Sequence, residues 1–310
     1  MAVKAADRKD IYERVTERMI EKLETGTVPW RQPWKSGFGM PCNANTKRPY
    51  RGWNAVVTLF SGYGSQYWAT YKGWTKLGGQ VRKGEKGTLV IGWKSVERKV
   101  DEEKDGGVTR TKTKKFLVGF GFTVFNEEQV DGATVPKRKT KAVEVDPIDE
   151  AQELLDAWID AGHSPIKLGG NEAGWSPMFD TIVLPQLGAF DSAEHFYGAA
   201  YHEMAHATGD KSRLDRWENG VAVTDMRTES YSKEELVAEL AASFVSATVG
   251  IQNAREETSA AYIAGWLERL RSDKKFLISA ASKAQAAADF ILGLAEAQDE
   301  VELDEAEAVA

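Results

Sequence analysis

His202 and His206 frame the run Tyr201-His-Glu-Met-Ala-His206, a His-Glu-x-x-His spacing. Residues four apart lie on one face of a helix, so both imidazoles can grip one metal ion. Glu203 then sits beside the open side of that ion, where hydrolysis needs a base to take a proton from water. The chemistry this predicts is metal-assisted hydrolysis, with zinc as the first metal and another divalent ion such as manganese as the alternative. The competing reading is a surface helix that happens to carry two histidines, and the flanks weigh against it. Asp191-Ser-Ala-Glu194 has the form of a capping box, so a helix is expected to start near Asp191. Phe196, Ala199, Ala200, Met204 and Ala207 recur at helical spacing, and Gly209 follows as a C-cap.

Two histidines need a third protein ligand and an open position for water. Tyr231 to Ala242 reads as a second helix with a small-residue face, on which Glu235 and Glu239 share a side. Glu235 is the expected ligand, with Glu239 orienting a ligand histidine from behind or serving as a substitute ligand. Ser232-x-x-Glu235 is also a capping-box pattern, which would make Glu235 a cap and leave Glu234 and Glu239 as rival ligands. Glu234 reads as a solvated charge. Tyr201, Tyr231 and Arg213 are candidate oxyanion stabilisers, each with a structural alternative.

The elements that must position this site follow from the rest of the chain. Its 310 residues fit two domains. Asp7 to Leu23 reads as an amphipathic helix, with further helices over Asn54–Phe60 and Trp68–Leu77. Gly87–Val96 and Lys115–Phe125 read as strands, with the charged residues 97–114 as a mobile hairpin tip. Residues 131–147, holding Pro136, four cations and Pro147, read as a linker. Beyond it come a helix over Ile148–Gly162 with Leu154, Leu155, Trp158 and Ile159 on its apolar side, and short strands at Ile166–Leu168 and Asp180–Leu184. The two site helices follow, then helices around Ser259–Arg271 and Lys274–Ala295. The expected organisation is α+β. A small basic α+β domain covers 1–130, a mainly helical domain that carries the candidate hydrolase site covers 148–297, and an acidic tail covers 298–310.

Charge divides the same way. Residues 1–145 carry 28 Lys and Arg against 16 Asp and Glu, net +12, while residues 146–310 carry 12 against 31, net −19. The basic half is the candidate for nucleic acid. Six of the ten tryptophans lie in it, several beside cations: Trp30-Arg31, Trp34-Lys35, and Lys47-Arg48-Pro-Tyr50-Arg51-Gly-Trp53. Exposed aromatics stack on unpaired bases while Lys and Arg neutralise phosphates, a combination that favours single strands. Trp68 and Trp93, in regular elements, are expected in the core. Trp30, Trp34, Tyr50 and Trp53, in loops rich in Pro and Asn, are the stacking candidates. The basic turn Val81 to Gly87 could hold a phosphate through Lys83 or Lys86. The single cysteine, Cys42, excludes an intramolecular disulfide and a cysteine-based zinc site. No apolar run reaches membrane-spanning length and the N-terminus lacks a signal-peptide core, so a cytoplasmic protein without a membrane partner is expected.

Six blocks carry a resemblance. Gly26-Thr-Val-Pro-Trp-Arg-Gln-Pro-Trp34, Asn45-Thr-Lys-Arg-Pro-Tyr-Arg-Gly-Trp-Asn54 and Leu77-Gly-Gly-Gln-Val-Arg-Lys-Gly-Glu-Lys-Gly87 resemble the N-terminal domain of ArdC-type antirestriction proteins. Tyr201-His-Glu-Met-Ala-His-Ala-Thr-Gly209, Ser212-Arg-Leu-Asp-Arg216 and Glu234-Glu-Leu-Val-Ala-Glu239 resemble the zincin-like metallopeptidase domain of the same proteins. The resemblance implies a plasmid or phage protein whose first domain binds single-stranded DNA, whose second has a metallopeptidase fold, and which protects incoming DNA from host restriction. It also implies kinship of the first module with plasmid primases of the TraC type. Where relatives often carry an aromatic after the second metal histidine, this chain has Ala207. The alternatives are a DNA-coating shield with a structural or inactive metal site, and a protein-interaction module whose basic half meets acidic partners. Under the hydrolase reading, a restriction-related host protein is the candidate substrate.

Overall fold

In the computed structural model, the structure describes residues 11–25, 39–104, 108–135, 147–217, 229–251 and 260–294. Helix α1 (Ile11–Glu24) buries Val15, Met19 and Leu23, the four-residue stripe that its sequence predicts. A sheet in the order β1-β2-β5-β4 follows, built from β1 (Cys42–Asn43), β2 (Tyr67–Ala69), β4 (Thr88–Lys104) and β5 (Val108–Asn126). Between these strands come α2 (Gly52–Leu59), α3 (Tyr71–Lys76) and β3 (Gln80–Val81), and β3 pairs antiparallel with β6 (Val130–Asp131). The Asn54 side chain binds both backbone groups of Ile91, accepting from its N–H and donating to its carbonyl at 2.8 Å each, which fixes α2 to β4.

Three expectations change here. Trp68 lies in β2, paired with Asn126, and the helix starts only at Tyr71, because the Thr70 side chain caps it by accepting from Gly73 N–H. Residues 97–104 and 108–114 are not a loose tip: β4 and β5 stay in register from Glu97 opposite Lys115 to Lys104 opposite Val108. Valines and threonines along both strands favour that extended pairing. Regular structure also continues to Asp131 through β6, while residues 136–146 of the expected linker lie outside the described residues.

The second half opens with α4 (Pro147–Asp160), which buries Leu155 and Trp158 but leaves Ile159 exposed. A three-stranded sheet in the order β7-β9-β8 comes next, from β7 (Ile166–Leu168), β8 (Gly174–Ser176) and β9 (Thr181–Leu184). The edge strand β8 was not legible from its glycine and serine. Then come α5 (Ala193–Ala207), α6 (Glu229–Val249), α7 (Ala260–Ser272) and α8 (Phe276–Ile291). No helix among the described residues is long and apolar enough to cross a membrane.

One hydrophobic cluster runs through both halves. It joins Val15, Trp53, Val56 and Ile91 to Tyr201, Leu240, Phe244 and the alanines of α8. Ala280, Ala281, Ala284, Ala287 and Ala288 are all buried, and their small side chains let α8 lie between α2 and α6. Polar contacts close the seam. Arg51 pairs with Asp289 through Nη2 at 2.5 Å, Gly52 N–H donates to Gln285 Oε1 at 3.0 Å, and Thr16 Oγ1 donates to Lys274 O. The halves should therefore unfold in one transition when followed separately by tryptophan fluorescence and far-ultraviolet circular dichroism. Asp289→Ala, which leaves Arg51 without its buried partner, should lower stability by about 1–3 kcal/mol in chemical denaturation.

Candidate metal centre

Helix α5 carries the first two donors. Ser192, not Asp191, is its N-cap: the Ser192 hydroxyl accepts from His195 N–H at 3.3 Å. Tyr201 is fully buried and donates its hydroxyl to Ala151 O at 3.1 Å, so it anchors α5 to α4 and is not an oxyanion donor. Helix α6 starts at Glu229, a turn earlier than the Ser232 pattern predicts. Ser232 is thus inside the helix, and the Glu235 side chain is released from capping and turned towards α5.

His202 Nε2 and His206 Nε2 lie 3.0 Å apart, His206 Nε2 lies 3.2 Å from Glu235 Oε1, and His202 Nε2 lies 3.6 Å from Glu235 Oε2. These residues offer three donor atoms within 4.8 Å of one another. Two ligands bound at about 2.0–2.2 Å to a tetrahedral ion stand about 3.3–3.6 Å apart, so the triangle fits a divalent cation with two imidazoles and one carboxylate. Glu239 is buried in the same helix but is not one of the three.

Electrostatics favour a cation at this point. Burial disfavours a charged His206, but Glu234 and Glu235 outweigh burial and push its pKa up to about 10. Burial likewise opposes ionisation of Glu235, yet His202 and His206 hold its carboxyl far below the usual range. Glu234 corrects the sequence reading, which treated it as solvated. It is largely buried, its carboxylate is held by Arg216 at 2.5 Å, and it lies 3.6 Å from His206 Nδ1. Burial acts against its charge, and His206 with Arg216 reverses that and lowers its pKa.

Glu203 is buried beside the two histidines, and its Oε2 accepts from the backbone N–H of Trp175 at 2.8 Å. Strand β8 therefore aims the candidate base. Several contacts hold β8 in turn. The Trp175 ring packs 4.9 Å from Trp217, and Trp217 lies so close to Gly209 that a Cβ there would stand 2.5 Å from the indole. Gly209 serves this approach; the helix C-cap is Thr208. Asp180, at φ +42, accepts from Trp175 Nε1, from Ser164 Oγ and from both terminal nitrogens of Arg213. Burial works against its charge, and these donors still bring its pKa down to about 2. Arg213 also donates to Ala207 O, so it is a brace between α5 and the β8–β9 turn and not an oxyanion donor. Tyr231 lies in α6, and its side chain falls outside the described residues. Ala207 is fully buried where relatives were expected to carry an aromatic.

The candidate DNA contacts divide. Trp30, Arg31, Trp34 and Lys35 lie outside the described residues. Tyr50 and Trp53 are only 7% and 6% exposed, Tyr50 packed with Trp68, Val90 and Phe122 and Trp53 in the cluster that holds the alanines of α8, so neither offers a free ring face to a base. Arg51 is engaged with Asp289. Lys47, at φ +64, folds its ammonium onto Ala44 O and over the Tyr67 ring. Arg48, Lys83 and Lys86 are exposed. Trp93 is half-buried and Trp68 fully buried. Tyr71, in a Tyr-Lys-Gly-Trp run where an aromatic again lies beside a cation but not among the chosen stacking candidates, is 48% exposed on α3 beside Lys72 and Lys76.

Comparison with known proteins agrees with this architecture. Residues 9–125 match the family described as the N-terminal domain of anti-restriction factor ArdC, and residues 153–283 match the zincin-like metallopeptidase family. The chain is 36% identical to protein y4eC of Sinorhizobium fredii over 91% of each sequence. It is 35% identical to two DNA primases TraC of Escherichia coli, covering 94% of this chain but only 28% and 20% of the primases. The crystal structure of metal-free antirestriction protein ArdC from plasmid R388 superposes with a TM-score of 0.70 at 35% identity, over 92% of this chain and 97% of that one. The Mn(II)-bound structure of the same protein gives 0.69 at 36% identity, over 92% and 98%. A divalent metal is thus common ground between the donor set and the Mn(II)-bound relative. With both domains matched in order and nearly the whole length shared, the chain belongs to the ArdC antirestriction family.

Proposed function

We propose that this chain is an antirestriction protein that binds single-stranded DNA through its N-terminal half and hydrolyses a peptide bond at a site built from His202, His206, Glu235 and Glu203. The observation that carries this reading is the donor triangle, with a buried carboxylate beside it aimed by a backbone N–H. His202, His206 and Glu235 would hold the ion, either zinc or manganese; when bound, it supplies Lewis acidity. Glu203 takes the proton of the attacking water and returns it to the leaving amine. The N–H of Trp175 keeps one carboxylate oxygen in place, which leaves the other for the proton. Burial around the site excludes bulk water and strengthens each of these interactions.

For the DNA half, the matching domain of ArdC and the local charge support strand binding. With Tyr50 and Trp53 buried and Arg51 paired with Asp289, the surface best suited to a strand is Tyr71 with Lys72 and Lys76, next to the Lys83–Lys86 turn. Helix α3 packs on β3, which leads into that turn. An aromatic flanked by cations offers one stacking platform and several phosphate contacts.

Glu203→Gln should reduce hydrolysis of a quenched peptide library by at least about 10²-fold while Mn(II) and oligonucleotide binding persist. Unchanged cleavage would reject the assignment. If the same variant still protects DNA from a restriction nuclease, protection comes from coating the strand. Metal binding must displace the His206 proton, so Mn(II) affinity should rise by up to about tenfold per pH unit between pH 6 and 9, as read from the electron paramagnetic resonance of free Mn(II). In the metal-free chain the sign reverses. A raised His206 pKa adds stability below its ordinary 6.5, and that contribution is lost as pH rises through about 10. Affinity for an oligothymidine should fall with salt at a slope of about −0.7 per phosphate contacted. Tyr71→Ala should weaken that binding by about 5–150-fold if one base stacks there; wild-type affinity would remove Tyr71 from the interface.

A further inference from the structure

Arg216 and Glu234 form an ion pair with side chains only 5% and 12% exposed. A pair so buried is a poor source of stability, because desolvating two charges offsets their attraction. Its placement gives it another role. Arg216 Nη1 donates to Thr208 Oγ1 at 2.6 Å and Nη2 to Ala205 O at 2.8 Å, both at the end of α5. The same guanidinium grips both oxygens of Glu234, through Nη2 at 2.5 Å and Nε at 3.3 Å. Glu234 Oε1 then faces His206 Nδ1 at 3.6 Å, on the side of the ring away from Glu235.

We propose that the Arg216–Glu234 pair is a positioning device for His206. Resting on the metal-binding reading above, it holds the ring in the tautomer with hydrogen on Nδ1, so that the Nε2 lone pair points at the cation. An imidazole has two ring nitrogens, and the partner of one decides which other is free to ligate. Glu234 supplies that partner for His206. Arg216 fixes the carboxylate and ties it to the helix that bears the histidine. Ring and acceptor therefore move together, although they belong to α5 and α6. Glu234 touches no donor atom of the triangle and acts through His206 alone.

The full chain, stripped of metal and titrated with Mn(II), tests this. Glu234→Ala should weaken Mn(II) binding by about 10–100-fold and Glu234→Gln by less, because the amide oxygen still accepts a hydrogen bond. Should Glu234→Ala fail to fold with Arg216 left unpaired, the double variant Arg216→Met, Glu234→Gln removes the buried charge and should show the weakened affinity. A merely structural role is separated by nuclear magnetic resonance of the Zn(II)-loaded chain. Long-range ¹H–¹⁵N correlation should show the His206 Nδ1 proton in the unmodified chain, shifted upfield or lost to exchange in Glu234→Gln. Wild-type affinity together with an unchanged Nδ1 signal in Glu234→Gln would overturn the proposal. Absence of Mn(II) or Zn(II) binding by the unmodified chain would instead overturn the metal reading, and this inference with it.

Discussion

The closeness of α5 to α6 is the constraint on which this molecule depends. His202 and His206 come from consecutive turns of one helix, but Glu235 belongs to another, and the donor atoms must meet within a few tenths of an ångström of a common radius. Small residues make that approach feasible. Ala200, Ala205 and Ala207 on α5 and Ala238, Ala241 and Ala242 on α6 are all fully buried. A larger side chain at any of them would force the backbones apart, because packed interiors transmit added volume as displacement. The cluster also concentrates charge. Glu203, Glu234 and Glu235 gather around two imidazoles away from water, and Arg216 neutralises only one of them. In the metal-free chain the His206 proton partly balances that charge; a divalent cation would do so more completely.

Around this contact the chain folds back on itself in a short loop. After α5 ends at Thr208, Gly209 admits Trp217, Arg213 reaches the β8–β9 turn, and Arg216 reaches α6. Both arginines also bind carbonyls of the last turn of α5, groups that no helix can satisfy internally. Nine residues, Gly209 to Trp217, therefore finish the metal helix, aim the edge strand that holds Glu203, and fasten the second helix. The left-handed Asp180 is tolerated for the same reason: four donors surround its carboxylate.

What the sequence revealed, and what it hid, follows from the range of the interactions. The His-Glu-x-x-His spacing is local to one helix, so its geometry could be read directly, and Glu235 was within reach because side chains four apart share a face. Burial of Glu234 was not legible, since it depends on an arginine 18 residues upstream whose loop has no periodicity. Tyr50 and Trp53 were read as exposed from a segment rich in Pro and Asn. Tyr50 is covered by Trp68, Val90 and Phe122 from β2, β4 and β5, and Trp53 shares its cluster with α8, more than 220 residues later, whose alanine-rich face gives no hint of its partner. The pairing of residues 97–104 with 108–115 was masked by charge. Alternation with valine and threonine carried the real signal there, and pairing across a two-stranded ribbon tolerates charged faces in water.

The shared core gives the two proposed functions a common physical basis. Helix α8 touches α2 on one side, through Arg51–Asp289 and Gly52–Gln285, and packs on α6 on the other. Glu235 projects from α6, while α2 is fixed to β4 through Asn54. A close-packed cluster has no slack at which the halves could hinge, so a change of shape on either side loads the same helix. Thermodynamic linkage then makes any influence reciprocal: whatever a bound strand does to metal affinity, the metal must do to strand affinity by the same factor. In a protein built from two tethered beads that factor would be one. Here the continuous packing from α1 to α8 supplies the mechanical path by which it can differ from one.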